Sequence, residues 1–179
     1  MHDSLVFDLF ETLGIEQTAA KKGRRCSQRT PLVLPKPTDG YITMVVQRPV
    51  TFEDIRASNV GRDHMKSQDW YVGKDWYKQS IPSGNWLFRL MPDSRGKNTT
   101  LMRPLLRDGE RFPGPAMSLA VTLFFRASGL DPLRNTFLTV DRADGNGYVV
   151  QIADKARLEI ITHRDLDDQL SISAAALRV

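Results

Sequence analysis

Several residue groups in this chain have types and spacings that could do chemistry. His163-Arg164-Asp165-Leu166 spells the catalytic loop of a protein kinase. A kinase also needs an Asn four residues after the Leu to bind magnesium. That position is Leu170, and no glycine-rich loop precedes the motif. Asp141, Asp144 and Asn146 suggest a calcium loop. An EF-hand sets its oxygen ligands at alternate positions and closes with a distal Glu. Here the spacing is three then two, and Ile152 occupies the closing position. The three histidines, His2, His64 and His163, do not group by spacing into a metal site, and the lone Cys26 has no His beside it. No Walker loop, dinucleotide fingerprint or nucleophile elbow is present, so no cofactor is implied. What remains for an enzyme is a small hydrolase or transferase site assembled only in space, with Arg89, His64 and Asp69 as its candidates.

Binding chemistry has more to work with. The formal charge is +4 and the isoelectric point about 9.4. Residues 21–36 hold Lys21, Lys22, Arg24, Arg25, Arg29 and Lys36 with no acid, which leaves the rest of the chain at −2. Such a cluster is either a phosphate-binding arm or a solvated linker. Ala19 and Gly23 are spaced as in a helix-turn-helix, but Pro31 follows Gly23 by eight residues and cuts off the recognition helix. A second group is Trp70, Tyr71, Trp76, Tyr77 and Trp86, interleaved with Lys66, Lys74, Lys78 and Arg89. Aromatics with cations stack on unpaired bases and neutralise phosphate. Trp, Tyr and Arg also anchor protein interfaces, and Trp commonly ends up in the core. A third group, Arg89, Arg95, Lys97, Arg103, Arg107 and Arg111, makes the middle of the chain basic.

The 179 residues suit one domain and can bury a core without staples. A hydrophobic fraction of 41% with 26% charged residues excludes a fully disordered or collagen-like chain. A single Cys excludes a disulfide framework. No apolar run is long enough for a membrane span, and acids occupy the N-terminus where a signal peptide would be basic. The expected setting is a reducing cytoplasm, without membrane contact.

These residues must be positioned by elements that the periodicity outlines. Residues 4–13 read as an amphipathic helix, capped by Asp3 or Ser4 and stopped at Gly14. Residues 15–40, basic and then rich in proline, read as a linker. Residues 41–46 read as a strand. Thr51 with Asp54 forms a capping box for a helix running to about Met65. Residues 85–91 read as a buried strand, and Pro115 opens a central helix over 116–128. Residues 136–142, 148–153 and 158–162 alternate with period two, the first two joined by the hairpin signal Asp144-Gly145-Asn146-Gly147. A helical turn near 164–170 and a short strand or tail over 171–178 complete the chain.

The predicted architecture is α+β: an N-terminal helix (1–14), a basic, Pro-rich linker (15–40), and a single domain (41–179). In that domain an antiparallel sheet, with a C-terminal meander, packs against the central helix. The run Trp76…Trp86-Leu87-Phe88-Arg89, followed by Ser94 and Lys97, resembles uncharacterised bacterial hypothetical proteins over about residues 68–160. That resemblance implies one structural unit there and carries no activity. The expected function is a non-enzymatic interaction module that binds a protein or an anionic partner. Its expected contacts are Lys21, Lys22, Arg24, Arg25, Arg29, Trp70, Trp76 and Arg89. Single-stranded nucleic-acid binding and the small hydrolase or transferase are the alternatives, and self-association is compatible with all three.

Overall fold

The first described element is a strand, not the start of the helix expected over 4–13. The computed structural model describes residues 6–15, 40–95, 97, 99–130, 137–143, 148–153, 157–164 and 171–179. Val6–Asp8 form β1, which runs parallel to β2 (Ile42–Val46) with Phe7 opposite Met44. Helix α1 covers only Leu9–Leu13. Its cap is Asp8, whose carboxylate accepts from the N–H of Phe10 at 2.8 Å and of Glu11 at 3.2 Å. Those bonds satisfy first-turn donors that would otherwise be orphaned. Gly14, at φ 62°, ends the helix in the left-handed region as expected. A five-residue helix cannot stand alone in water. It persists because Leu9, Phe10 and Leu13 join the main hydrophobic core. The linker segment 16–39, with its basic cluster, lies outside the described residues.

The second helical stretch is also shorter than its pattern. Thr51 and Asp54 form the expected box: Thr51 Oγ1 accepts from the Asp54 N–H at 3.1 Å, and the Asp54 carboxylate accepts from the Thr51 N–H at 2.9 Å. The helix then breaks into α2 (Phe52–Ala57) and α3 (Asn59–His64). The cause is Ser58, whose extended backbone ends one helix and starts the next. Its hydroxyl donates to the Ile55 carbonyl at 2.6 Å and accepts from the Gly61 N–H at 3.0 Å. The elbow is so tight that a Cβ on Gly61 would lie 2.2 Å from the Ile55 carbonyl oxygen. Just before α2, β3 (Val50–Thr51) pairs with β4 (Ser80–Ile81) in a two-stranded ribbon.

Strand β5 (Gly84–Met91) matches its expected run. A connecting segment carries the short α4 (Thr99–Met102), and α5 (Pro115–Ala127) follows with every residue from Pro115 to Phe125 buried. A helix apolar around most of its circumference is buried all round, as the sequence implies for this segment. Phe124 stacks on Phe7 at 3.9 Å between ring centroids, which ties α5 to the edge strand.

Among the described residues the main sheet has seven strands, in the order β1-β2-β5-β9-β6-β7-β8. Strands β6 (Phe137–Ala143), β7 (Tyr148–Ala153) and β8 (Glu159–Arg164) pair in succession, antiparallel. The Asp144–Gly147 turn and residues 165–170 lie outside the described residues. The last strand, β9 (Ser171–Arg178), is a full central strand. It inserts between β5 and β6, antiparallel to the first and parallel to the second. The sheet is therefore mixed and not antiparallel, because both β1–β2 and β6–β9 are parallel pairs. The run Ala174-Ala175-Ala176 is fully buried: Ala174 and Ala176 join the main core, Ala176 opposite Phe88, and Ala175 joins the other face. The protein is α+β.

Side chains alternate across β5. Trp86 and Phe88 enter the main core with α5, while Met91 joins Met102, Phe112 and Ala175 in a smaller core.

Candidate functional site

Arg89 shares the Met91 side of β5, and its charge is already matched. Its Nε donates to Glu110 Oε1 at 2.9 Å and its Nη2 to Oε2 at 2.6 Å, with a further bond to the Leu105 carbonyl at 3.0 Å. The side chains are 13% and 0% exposed. Glu110 also accepts from the Arg107 N–H at 2.7 Å and from the Tyr41 hydroxyl. Burial works against ionising this carboxyl. Arg89, the Arg107 N–H and Tyr41 outweigh it and hold Glu110 down to about 2. This network fastens the 92–112 segment to the sheet.

The aromatic group separates into core and surface. Trp76 is 3% exposed and, with Tyr71 and Tyr77, packs edge-on or tilted around Phe52 at 5.4–5.6 Å. Such contacts stabilise by about 1 kcal/mol beyond area burial. Burial raises the Tyr71 phenol above its ordinary range, with Arg56 opposing. Trp70 differs: 40% of it is exposed. Its edge is fixed, since Nε1 donates to the Ile160 carbonyl at 3.2 Å and its ring meets Tyr71 at 5.4 Å.

Beside Trp70 lies a pocket of about 220 Å³ lined by Arg56, Gly61, Arg62, Met65, Lys66, Ser67 and Arg157, with no acid among them. The fold builds it from two distant parts of the chain. Met65 bridges Leu158 in parallel, the Leu158 N–H donates to the His64 carbonyl at 2.8 Å, and the Lys66 N–H donates to the Leu158 carbonyl at 2.9 Å. That stitch brings Arg157 against the end of α3. The Ser58 elbow brings Arg56 of α2 and Arg62 of α3 to the same opening.

Each cation is differently held. Arg56 pairs with the exposed Asp69 at 3.1 Å and lies 5.7 Å over the Tyr71 ring. Arg62 donates to the Ala57 carbonyl at 2.7 Å and to the Asn59 side chain. Lys66 pairs with Glu159 at 2.7 Å. Arg157 is exposed and has no acidic partner among the described residues. Four cations against two acids leave this pocket net positive. Trp70 is tied to the same segments: Asp69, the partner of Arg56, precedes it, and Glu159, the partner of Lys66, precedes its carbonyl acceptor, Ile160.

The remaining candidates are dispersed. Lys21, Lys22, Arg24, Arg25 and Arg29 lie outside the described residues. No hydrogen bond or ion pair joins any two of His64, Asp69 and Arg89: Asp69 pairs with Arg56, and Arg89 with Glu110. His163 and Arg164 belong to β8. Among the described residues no group of His, Cys, Asp and Glu is placed to hold a metal ion, and no helix is long and apolar enough to cross a membrane. Trp70 and Lys66 stand out in the sequence as members of the aromatic and basic group, whereas Arg56, Arg62 and Arg157 do not. Nothing local marks Arg157, since the stitch that places it spans some 93 positions, as the Lys66–Glu159 pair shows. The chain matches no family model, no curated protein and no solved structure.

Proposed function

We propose that this protein is an interaction module that binds an acidic segment of a partner protein on the face formed by Trp70 and the basic pocket. The observation that carries the reading is the convergence of Arg56, Arg62, Lys66 and Arg157 on one pocket without an acid in its lining, beside a half-exposed Trp70. Tryptophan and arginine are the residues that most often dominate interface energetics. A net positive concavity also attracts an acidic partner at long range. Trp70 is held at its edge, so it meets a partner with little loss of rotamer entropy.

Single-stranded nucleic acid is the second reading, because the same face offers a ring for stacking beside cations for phosphate. The discriminating experiment is fluorescence anisotropy with a labelled poly-glutamate peptide and with labelled oligo-thymidylate, at low and at physiological salt. The proposal expects saturable peptide binding that outlasts physiological salt. Tighter binding of oligo-thymidylate, with a log–log salt slope near 0.7 per neutralised phosphate, would replace it with the nucleic-acid reading. No binding of either would remove both.

A further inference from the structure

A second concavity lies elsewhere and has a different chemistry. It is an open groove of about 630 Å³ between the 79–82 strand segment and residues 111–117. Its size falls within the range of small-molecule sites, about 300–1,000 Å³. Ile81, Trp86, Phe112, Pro113, Pro115 and Met117 form a largely buried apolar floor, Gln79, Ser80 and Arg111 an exposed polar rim, and no acid is among the lining residues.

Among the lining residues of the groove one is charged, Arg111. Arg111 is exposed and has no acidic partner among the described residues. Its guanidinium is nonetheless positioned, 4.9 Å over the Trp86 ring. Its backbone is clamped to the sheet by two hydrogen bonds with Ala176, at 2.9 and 2.8 Å. Arg178 lies over the same indole at 5.9 Å, and its Nη2 donates to the Ser83 carbonyl at 2.6 Å. Gly84 makes room for it, since a Cβ there would stand 3.2 Å from Arg178 Nε. Trp86 is itself fixed by donation from Nε1 to the Pro82 carbonyl at 3.0 Å. A planar guanidinium stacked on an aromatic ring, with no acid on its N–H fork among the described residues, is preorganised for a carboxylate or similar oxyanion. The α5 terminus starts at Gly114 without a side-chain cap, and so adds a favourable field for the same charge.

We infer that this groove binds a small organic anion, a carboxylate carried on an apolar body. Arg111 takes the carboxylate, and the Phe112–Pro115 wall and Ile81 take the body. No acidic side chain has to be displaced for the anion to enter, and both recognition elements are already in place. This inference is independent of the Trp70 face.

The test is a titration of sodium benzoate into the isotopically labelled chain, followed by amide and indole N–H NMR shifts. The expected result is a saturable shift of the Trp86 indole N–H together with the amides of Arg111, Phe112, Gly114, Ala116 and Met117. Arg111→Ala should weaken that binding by about tenfold or more, the effect of losing a charge-assisted hydrogen bond. It should leave poly-glutamate binding unchanged. Arg111 is exposed, so the fold should survive, and native-like spectra of the variant will verify this. Ser80→Phe, which fills the groove from an exposed position, should abolish the shifts independently. Equal benzoate affinity in Arg111→Ala, or shifts scattered away from the groove, would overturn the inference. Inorganic phosphate moving the same amides as strongly as benzoate would overturn its apolar half.

Discussion

Arg89 and Glu110 meet in a two-pronged ion pair beneath the 92–112 segment, with contacts of 2.9 and 2.6 Å. The pair makes the stability of the fold depend on acid. Glu110 has an ordinary value of 4.5 and is held at about 2 in the folded chain. A depressed carboxyl contributes stability that is complete above its unfolded value and is lost as pH falls through the folded one. Urea unfolding should therefore show a stability loss of about 3 kcal/mol between pH 4.5 and 2. Glu110→Gln should flatten that dependence and destabilise the chain at neutral pH by about 3–5 kcal/mol, because it leaves Arg89 unpaired. An unchanged acid profile in this variant would contradict the role given to the pair.

The Ser58–Gly61 elbow should be intolerant of added volume. Gly61→Ala places a methyl against the Ile55 carbonyl and should cost about 2–3 kcal/mol, read by chemical denaturation. The elbow also aims Arg56 and Arg62, so the same variant should weaken poly-glutamate binding.

Trp70 and Trp76 should part company under substitution. Trp76→Ala removes a buried ring and should cost about 3–5 kcal/mol. Trp70→Ala should cost much less stability, given that 40% of the residue is exposed, yet should reduce binding of an acidic peptide. Denaturation midpoints and anisotropy titrations on the two variants separate these effects.

How much of this was legible in the sequence depends on how local each cause is. The Thr51–Asp54 box, the Pro115 start of α5 and the Gly14 stop are set by neighbouring residues, and each stands where the pattern places it. Val6–Asp8 fits helical spacing as well as strand spacing over so few residues. Pairing with Thr43–Val45 decides it, and that partner is far off in sequence. Ser58 reads as an ordinary helix residue, yet its hydroxyl caps α3. The alanine run of β9 reads only as a short strand or tail, because small residues carry little periodic signal. Its central place comes from pairing with β5 and β6. The candidate site is less legible again. Trp70 and Trp76 look equivalent in sequence, and burial alone tells them apart. The pocket depends on Leu158 bridging Met65, which no local spacing encodes.

An acidic partner segment is the proposed ligand of the basic pocket beside Trp70. The most direct measurement is the affinity of a labelled poly-glutamate peptide for the wild-type chain and for the Arg62→Ala, Arg157→Ala double variant at physiological salt. Both side chains are exposed, so the fold should hold. A loss of about tenfold or more is expected, with the folding midpoint unchanged. Undiminished affinity in a folded double variant would contradict it.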